Sequence, residues 1–194
     1  MSESPSTAAA PRPLLRYDLG GVGRGTGGRT TVNLAADCDV HHDIRDLDGF
    51  VPEDGVVDEF LLSHTLEHVS TVDYRDFLRA LHRKCRIGGR VIVVQTDVGR
   101  AIRLWIEGKL SFRALRTTVF TPPDRLRENP YHMHHNMWTA ETMAEDLAAV
   151  GFHAEIFDAG TWPYDQLDEL FPEETRAYWG VPIPNLGVIA TRLA

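Results

Sequence analysis

Ser63-His64-Thr65-Leu66-Glu67-His68 sets two imidazoles, a carboxylate and two hydroxyls side by side in the chain. Imidazole titrates near about 6.5, so a histidine here can take up or return a proton at neutral pH. A second histidine-rich run, Tyr131-His132-Met133-His134-His135-Asn136, closes a proline-bearing stretch from Thr121 to Trp138. With His41 and His42 it raises the question of a metal. Neutral histidines in a loop, with no carboxylate or cysteine at ligand spacing, do not make a zinc pattern. The expectation is therefore no metal site, and a substrate-side role for one of the loop histidines. His64 and His68 read either as ligand contacts or as groups that cap the helix after them. Glu67 reads either as part of a site or as an acid favouring that helix's dipole.

The elements around these residues say where they would stand. Val56 to Leu62 is an apolar run that reads as a buried strand. Tyr74, Phe77, Leu78, Leu81 and Cys85 recur at helical spacing, with Ser70-Thr71-Val72-Asp73 as a capping box that places the helix start near Thr71. Arg86-Ile87-Gly88-Gly89 ends that helix, and a second apolar run, Arg90 to Val94, follows. Strand, helix and strand make a βαβ unit and imply a parallel sheet. Ligands of such sheets bind beyond the carboxyl ends of the strands, where Ser63 to His68 lie.

Upstream, Leu14–Leu19 and Thr30–Leu34 read as strands, joined by the glycine-rich run Gly20 to Gly28, with a short third strand around Val40 to Ile44. The connections are too short for full crossover helices. The glycine run reads as a cradle for a ligand or as a flexible turn. Downstream, Val98 to Phe120 reads as a helix broken near Gly108, with Arg100, Arg103, Lys109, Arg113 and Arg116 on it. That basic face is either simply solvated or a lid that meets an acidic substrate. Thr139 caps a helix through Met143, Leu147 and Val150 that Gly151 stops, and His153–Phe157 and Leu186–Thr191 read as closing strands.

The 194 residues carry a formal net charge of -8 and are 43% hydrophobic, which suits one globular domain and argues against a general nucleic-acid binder. Two cysteines form no disulfide framework, so a reducing cytoplasm is expected. No apolar run is long enough to span a membrane. Residues 1–13, rich in Ser, Ala and Pro, read as a disordered lead-in rather than a signal peptide.

In order, Asp18-Leu19-Gly20-Gly21-Val22-Gly23, Val32-Asn33-Leu34, Asp39 to Ile44, Ser63 to His68 and Ile87-Gly88-Gly89 resemble the motifs of the class I S-adenosylmethionine-dependent methyltransferases. The likeness is nearest to the branch with an L-E-H junction and a small-molecule acceptor. It implies a single α/β domain over 14–194, a doubly wound, mostly parallel Rossmann-like sheet with abbreviated N-terminal helices and an antiparallel last strand, and a lid or substrate region over 99–137. It further implies that Gly20, Gly21 and Gly23 let backbone approach the methionine end of S-adenosylmethionine. Asn33 would stand at the ribose, Asp43 and Ile44 beside the adenine, and Ser63 and His64 beside the sulfonium. Asn33 replaces an acid and offers one acceptor oxygen where a carboxylate offers two, unless Asp37 substitutes.

The function expected is methyl transfer to a small molecule, with His64 and His135 as candidate general bases. The chain would act alone or in a homo- or hetero-oligomer, without nucleic acid or membrane. Two alternatives stay open at Asn33: a relative that keeps the cofactor for non-methylating chemistry such as cyclisation, and a catalytically silent scaffold for a methyltransferase partner.

Overall fold

The computed structural model describes residues 12–34, 37–121, 126–127, 130–159 and 185–194. Their seven strands are β1 (Arg16–Leu19), β2 (Thr30–Asn33), β3 (Val40–His41), β4 (Val57–Ser63), β5 (Cys85–Thr96), β6 (Phe152–Phe157) and β7 (Asn185–Arg192). They form one sheet in the order β3-β2-β1-β4-β5-β7-β6. β1 to β5 pair in parallel, and β7 runs antiparallel to both β5 and β6. The strand order reverses between β1 and β4, the point at which such sheets open a crevice beyond their carboxyl ends.

The apolar runs become central strands because both faces are covered: Phe60, Leu61 and Leu62 of β4 and Val91 to Val94 of β5 are all buried. β4 also carries two buried acids that its apolar character hides. Asp58 accepts hydrogen bonds from the Leu15 amide (2.8 Å), Arg12 (2.8 Å) and Arg86 (2.5 Å). Glu59 lies between Arg29 and Arg90, each 2.6 Å away.

Helix α1 (Tyr74–Lys84) buries Tyr74, Phe77, Leu78 and Leu81 of the periodic set read from the sequence, while its last member, Cys85, already opens β5. It begins at Tyr74 rather than near Thr71, because Ser70 and Asp73 first close a turn on each other. The Ser70 hydroxyl donates to the Asp73 carboxylate at 2.7 Å and accepts from its amide at 3.2 Å. Gly88 and Gly89 do not stop the helix either; they lie inside β5. There the register against β4 jumps, Cys85 facing Val57 but Arg90 facing Glu59. A Cβ on Gly89 would come within 2.6 Å of the Val57 carbonyl, so the glycine is what lets the strands meet.

The break near Gly108 is as expected: α2 (Val98–Ile106) and α3 (Phe112–Val119) flank it, with Gly108 at φ +69°. The two helices enclose a small core of their own, Ala101, Leu110 and Leu115. Helix α4 (Ala140–Ala149) is capped by Thr139, and Thr142 returns the bond. Only a short 3₁₀ turn, Thr26–Gly28, joins β1 to β2. β3 is shorter than the sequence suggests. Both cysteines are buried thiols outside any disulfide, and among the described residues no helix is long and apolar enough to cross a membrane. The Trp- and Pro-rich stretch between the closing strands lies outside the described residues.

Candidate active site

Four parallel strands, β1 to β4, end on one edge, and the residues just past their ends face one cleft of about 580 Å³. That is within the ~300–1,000 Å³ of small-molecule and cofactor sites. Gly20 follows β1, Asn33 ends β2, Asp43 and Ile44 follow β3, and His64 follows β4; all five line the cleft, and His135 lines it from the later segment. Gly21, Gly23 and Ser63 do not line it.

The glycine turn is held by packing, not slack. Gly20 sits at φ +85°, and a Cβ there would lie 2.6 Å from Thr65 Oγ1. Thr65 is buried and donates to the Leu19 carbonyl at 2.8 Å, stapling the end of β1 to the end of β4. A Cβ on Gly21 would meet the Asp18 carboxylate at 2.5 Å. Gly23 donates to the Asp37 carbonyl and accepts from the Thr31 hydroxyl. Asp39 completes the tie, accepting from the amides of Gly25 and Thr31; those bonds hold its carboxyl below the usual carboxylate range. At Gly20 and Gly21 the turn has no room for side chains, which suits close approach to its backbone.

Asn33 uses its amide group on this turn, donating to the carbonyls of Gly20 (2.8 Å) and Gly21 (3.3 Å). An acid could not make those bonds. Asp43 is clasped by Arg45, whose Nε and Nη2 both reach it, and that pairing lowers the Asp43 carboxyl. Arg45 also lines the cleft.

His64 is the one non-glycine with positive φ among the described residues, at +49°. Its amide donates to the Val94 carbonyl at 2.9 Å. Side chains resist this conformation at a cost of about 1–2 kcal/mol, and such strain tends to collect at functional positions. Its ring nitrogen Nδ1 lies 3.6 Å from Glu67 Oε1.

Glu67 does not serve the dipole of α1. It sits in a separate 3₁₀ turn, Leu66–His68, and is 5% exposed. Burial drives its carboxyl up, but hydrogen bonding and charge from His64, then His68, draw it down to about 2. Gln95 donates to its second oxygen. Nor do His64 and His68 cap α1, which starts at Tyr74.

The segment from Tyr131 to Trp138 folds onto this turn. The His135 amide donates to the Glu67 carbonyl at 2.7 Å, Asn136 donates to the Val69 carbonyl at 2.6 Å, and Thr71 donates to the His135 carbonyl at 3.1 Å. The rings of His132 and His134 flank that of His68, at centroid distances of 5.9 and 5.1 Å. Burial pushes the His134 imidazole down, with Glu67 pulling the other way. His68, read from the sequence as a ligand contact or a helix cap, lines the cleft, whereas Arg45, Thr65 and Tyr131 escaped the sequence reading as wall residues, though each lies within two positions of a residue that it singled out or inside a quoted run.

No protein-family model matches the sequence, and no curated protein matches it. Among solved structures the chain is similar to the Burkholderia thailandensis 1,6-didemethyltoxoflavin-N1-methyltransferase with bound 1,6-didemethyltoxoflavin and S-adenosylhomocysteine. The identity is 17% and the TM-score 0.57, over 94% of this chain and 72% of that one. An S-adenosylmethionine-dependent methyltransferase from Mesorhizobium loti is 16% identical with a TM-score of 0.53, over 92% of this chain and 91% of that one. One from Archaeoglobus fulgidus is 14% identical with a TM-score of 0.52, over 92% and 86%. At such identities the likeness speaks for architecture: this chain has the Rossmann-like α/β fold of the class I S-adenosylmethionine-dependent methyltransferases.

Proposed function

We propose that the chain transfers the methyl group of S-adenosylmethionine to a small-molecule acceptor, in the manner of the L-E-H branch. The observation that supports this most is the cleft at the reversal of strand order, into which Gly20, Asn33, Asp43, Ile44, His64 and His135 converge. The small-molecule character draws on the Burkholderia thailandensis neighbour, whose structure holds such an acceptor. The cofactor brings an electrophilic methyl group on a sulfonium. The turn at Gly20, Gly21 and Gly23 admits its methionine end, Asn33 borders the ribose, and Asp43 with Ile44 flanks the adenine. Ser63 supports the end of β4 and His64 stands beside the sulfonium.

The chain's main contribution is then alignment and exclusion of water. Where the acceptor is a hydroxyl, His64 or His135 takes its proton. Calorimetry with S-adenosylmethionine and S-adenosylhomocysteine should show binding, and a labelled-methyl assay over a metabolite panel should find the acceptor. His64→Gln and His135→Gln test the proton transfer. The variant that removes the base should lose roughly 10² in turnover with cofactor affinity nearly intact.

A second reading rests on the Asn33 amide, which is turned to the glycine turn. On that reading the chain is a silent scaffold for a methyltransferase partner, or keeps the cofactor for non-methylating chemistry. Absence of binding to either nucleoside by folded protein would overturn methyl transfer and leave the scaffold. Binding without any labelled product would leave the non-methylating relative.

A further inference from the structure

The sequence argues against a metal because its histidines lack a carboxylate at ligand spacing. The fold supplies one from elsewhere. Glu67, His68 and His134 each bring one donor atom to the same place, all within 4.8 Å of one another. Two of them are neighbours in the Leu66–His68 turn and the third comes from the segment folded over it, so no spacing pattern could have signalled the set. Two imidazoles and a carboxylate, with a position left open, are the donor set of hydrolytic zinc and of non-haem iron centres. Donors at ~2.0–2.2 Å from one ion must approach each other more closely than 4.8 Å, which small rotamer changes at two half-buried histidines accomplish.

We propose that Glu67, His68 and His134 bind a divalent first-row transition metal ion such as zinc. The surroundings are those of a built site. Glu67 and His68 are each oriented by a partner outside the set, the arrangement that tunes metal-binding side chains. Gln95 donates to Glu67, and the Met133 carbonyl lies 3.3 Å from His68 Nδ1, which leaves the His68 lone pair on Nε2. His134 shares the lining of a small cavity with Thr118 and Val119. The Glu67 backbone is itself pinned by the His135 amide. Hard oxygen-seeking ions such as magnesium suit this nitrogen-rich set poorly.

The position also has a consequence for the cleft. His68 lines the cleft of about 580 Å³ while Glu67 and His134 line the small cavity of about 10 Å³ behind it. The ion therefore stands between the two, at the wall of the acceptor side. There it holds an acceptor oxygen and lowers its pKa, a use that rests on the methyl-transfer reading. The ion site itself does not rest on it.

Calorimetric titration of the metal-free full chain with zinc chloride should show one equivalent bound at micromolar affinity or tighter. His68→Gln and His134→Gln should each weaken it by tenfold or more, with circular dichroism confirming the fold. Glu67→Gln should do the same, and if that buried change unfolds the chain the two histidine variants still decide. His153→Gln, at an exposed His–Glu pair away from the site, should leave the titration unchanged, and magnesium in excess should not compete. No zinc binding, or equal affinity in parent, His68→Gln and His134→Gln, overturns the site. S-adenosylmethionine titrated into the metal-free chain separates the two readings. Zinc binding without nucleoside binding retains the ion site and removes methyl transfer, whereas nucleoside binding without zinc binding does the reverse.

Discussion

Asp18 shows how much a single buried group contributes to the shape of the cleft. It is 4% exposed at the end of β1, and its carboxylate occupies the space that any side chain at Gly21 would need. Burial raises its pKa from 3.8 to about 6 against the pull of Arg29. A carboxyl whose pKa is higher folded than unfolded binds its proton more tightly in the native state, so stability falls as pH rises from 3.8 through about 6. At ~1.4 kcal/mol per unit, the cost above that window is about 2–3 kcal/mol. Asp18→Asn should flatten the dependence and raise stability near pH 7 by an amount of that order. Thermal melts between pH 4 and pH 7 check this, and a variant that keeps the parental slope would assign the titration to another group.

At the scale of elements, the pair α2 and α3 stands apart from the rest. Its core of Ala101, Leu110 and Leu115 is separate from the large one that α1, α4 and the sheet share. Small satellite cores open at lower free energy than the global transition. Amides of α2 and α3 should therefore exchange faster than those of α1 and β5. Leu115→Ala should speed that exchange further while shifting the main thermal transition little. Leu81→Ala, in the fully buried face of α1, should instead lower global stability by about 2–5 kcal/mol. Equal effects of the two on the main transition would mean that the pair is not an independent unit.

Across the whole molecule, the buried charges of β4 tie the two halves of the sheet together. Glu59 links Arg29, just before β2, to Arg90 on β5, and Arg29 is 3% exposed. Removing one member of a buried ionic cluster leaves the others without full compensation and costs about 3–5 kcal/mol. Glu59→Gln should destabilise the chain by that order in urea unfolding, and the loss should persist in high salt because buried pairs are poorly screened. A change below about 1 kcal/mol would class the cluster with exposed pairs.

The sequence by itself determined the order of elements, the αβ alternation and the edge on which the cleft opens. Those follow from local periodicity and from glycines that tolerate conformations other residues resist, as at Gly20 and Gly108. It also marked six of the residues that line the cleft, because residues just after strands in a parallel sheet share one edge. Other features depended on partners far away in the chain. Gly88 and Gly89 look like a helix stop until β4 is seen beside them, and Glu67 looks like a dipole acid until His64 and Gln95 enclose it. Asn33 turns to the glycine turn because two carbonyls lie there, which no local pattern records. The meeting of His134 with Glu67 and His68 required the later segment to fold back over β4. Only the tertiary structure could decide that, since burial and hydrogen-bond partners are properties of neighbours in space.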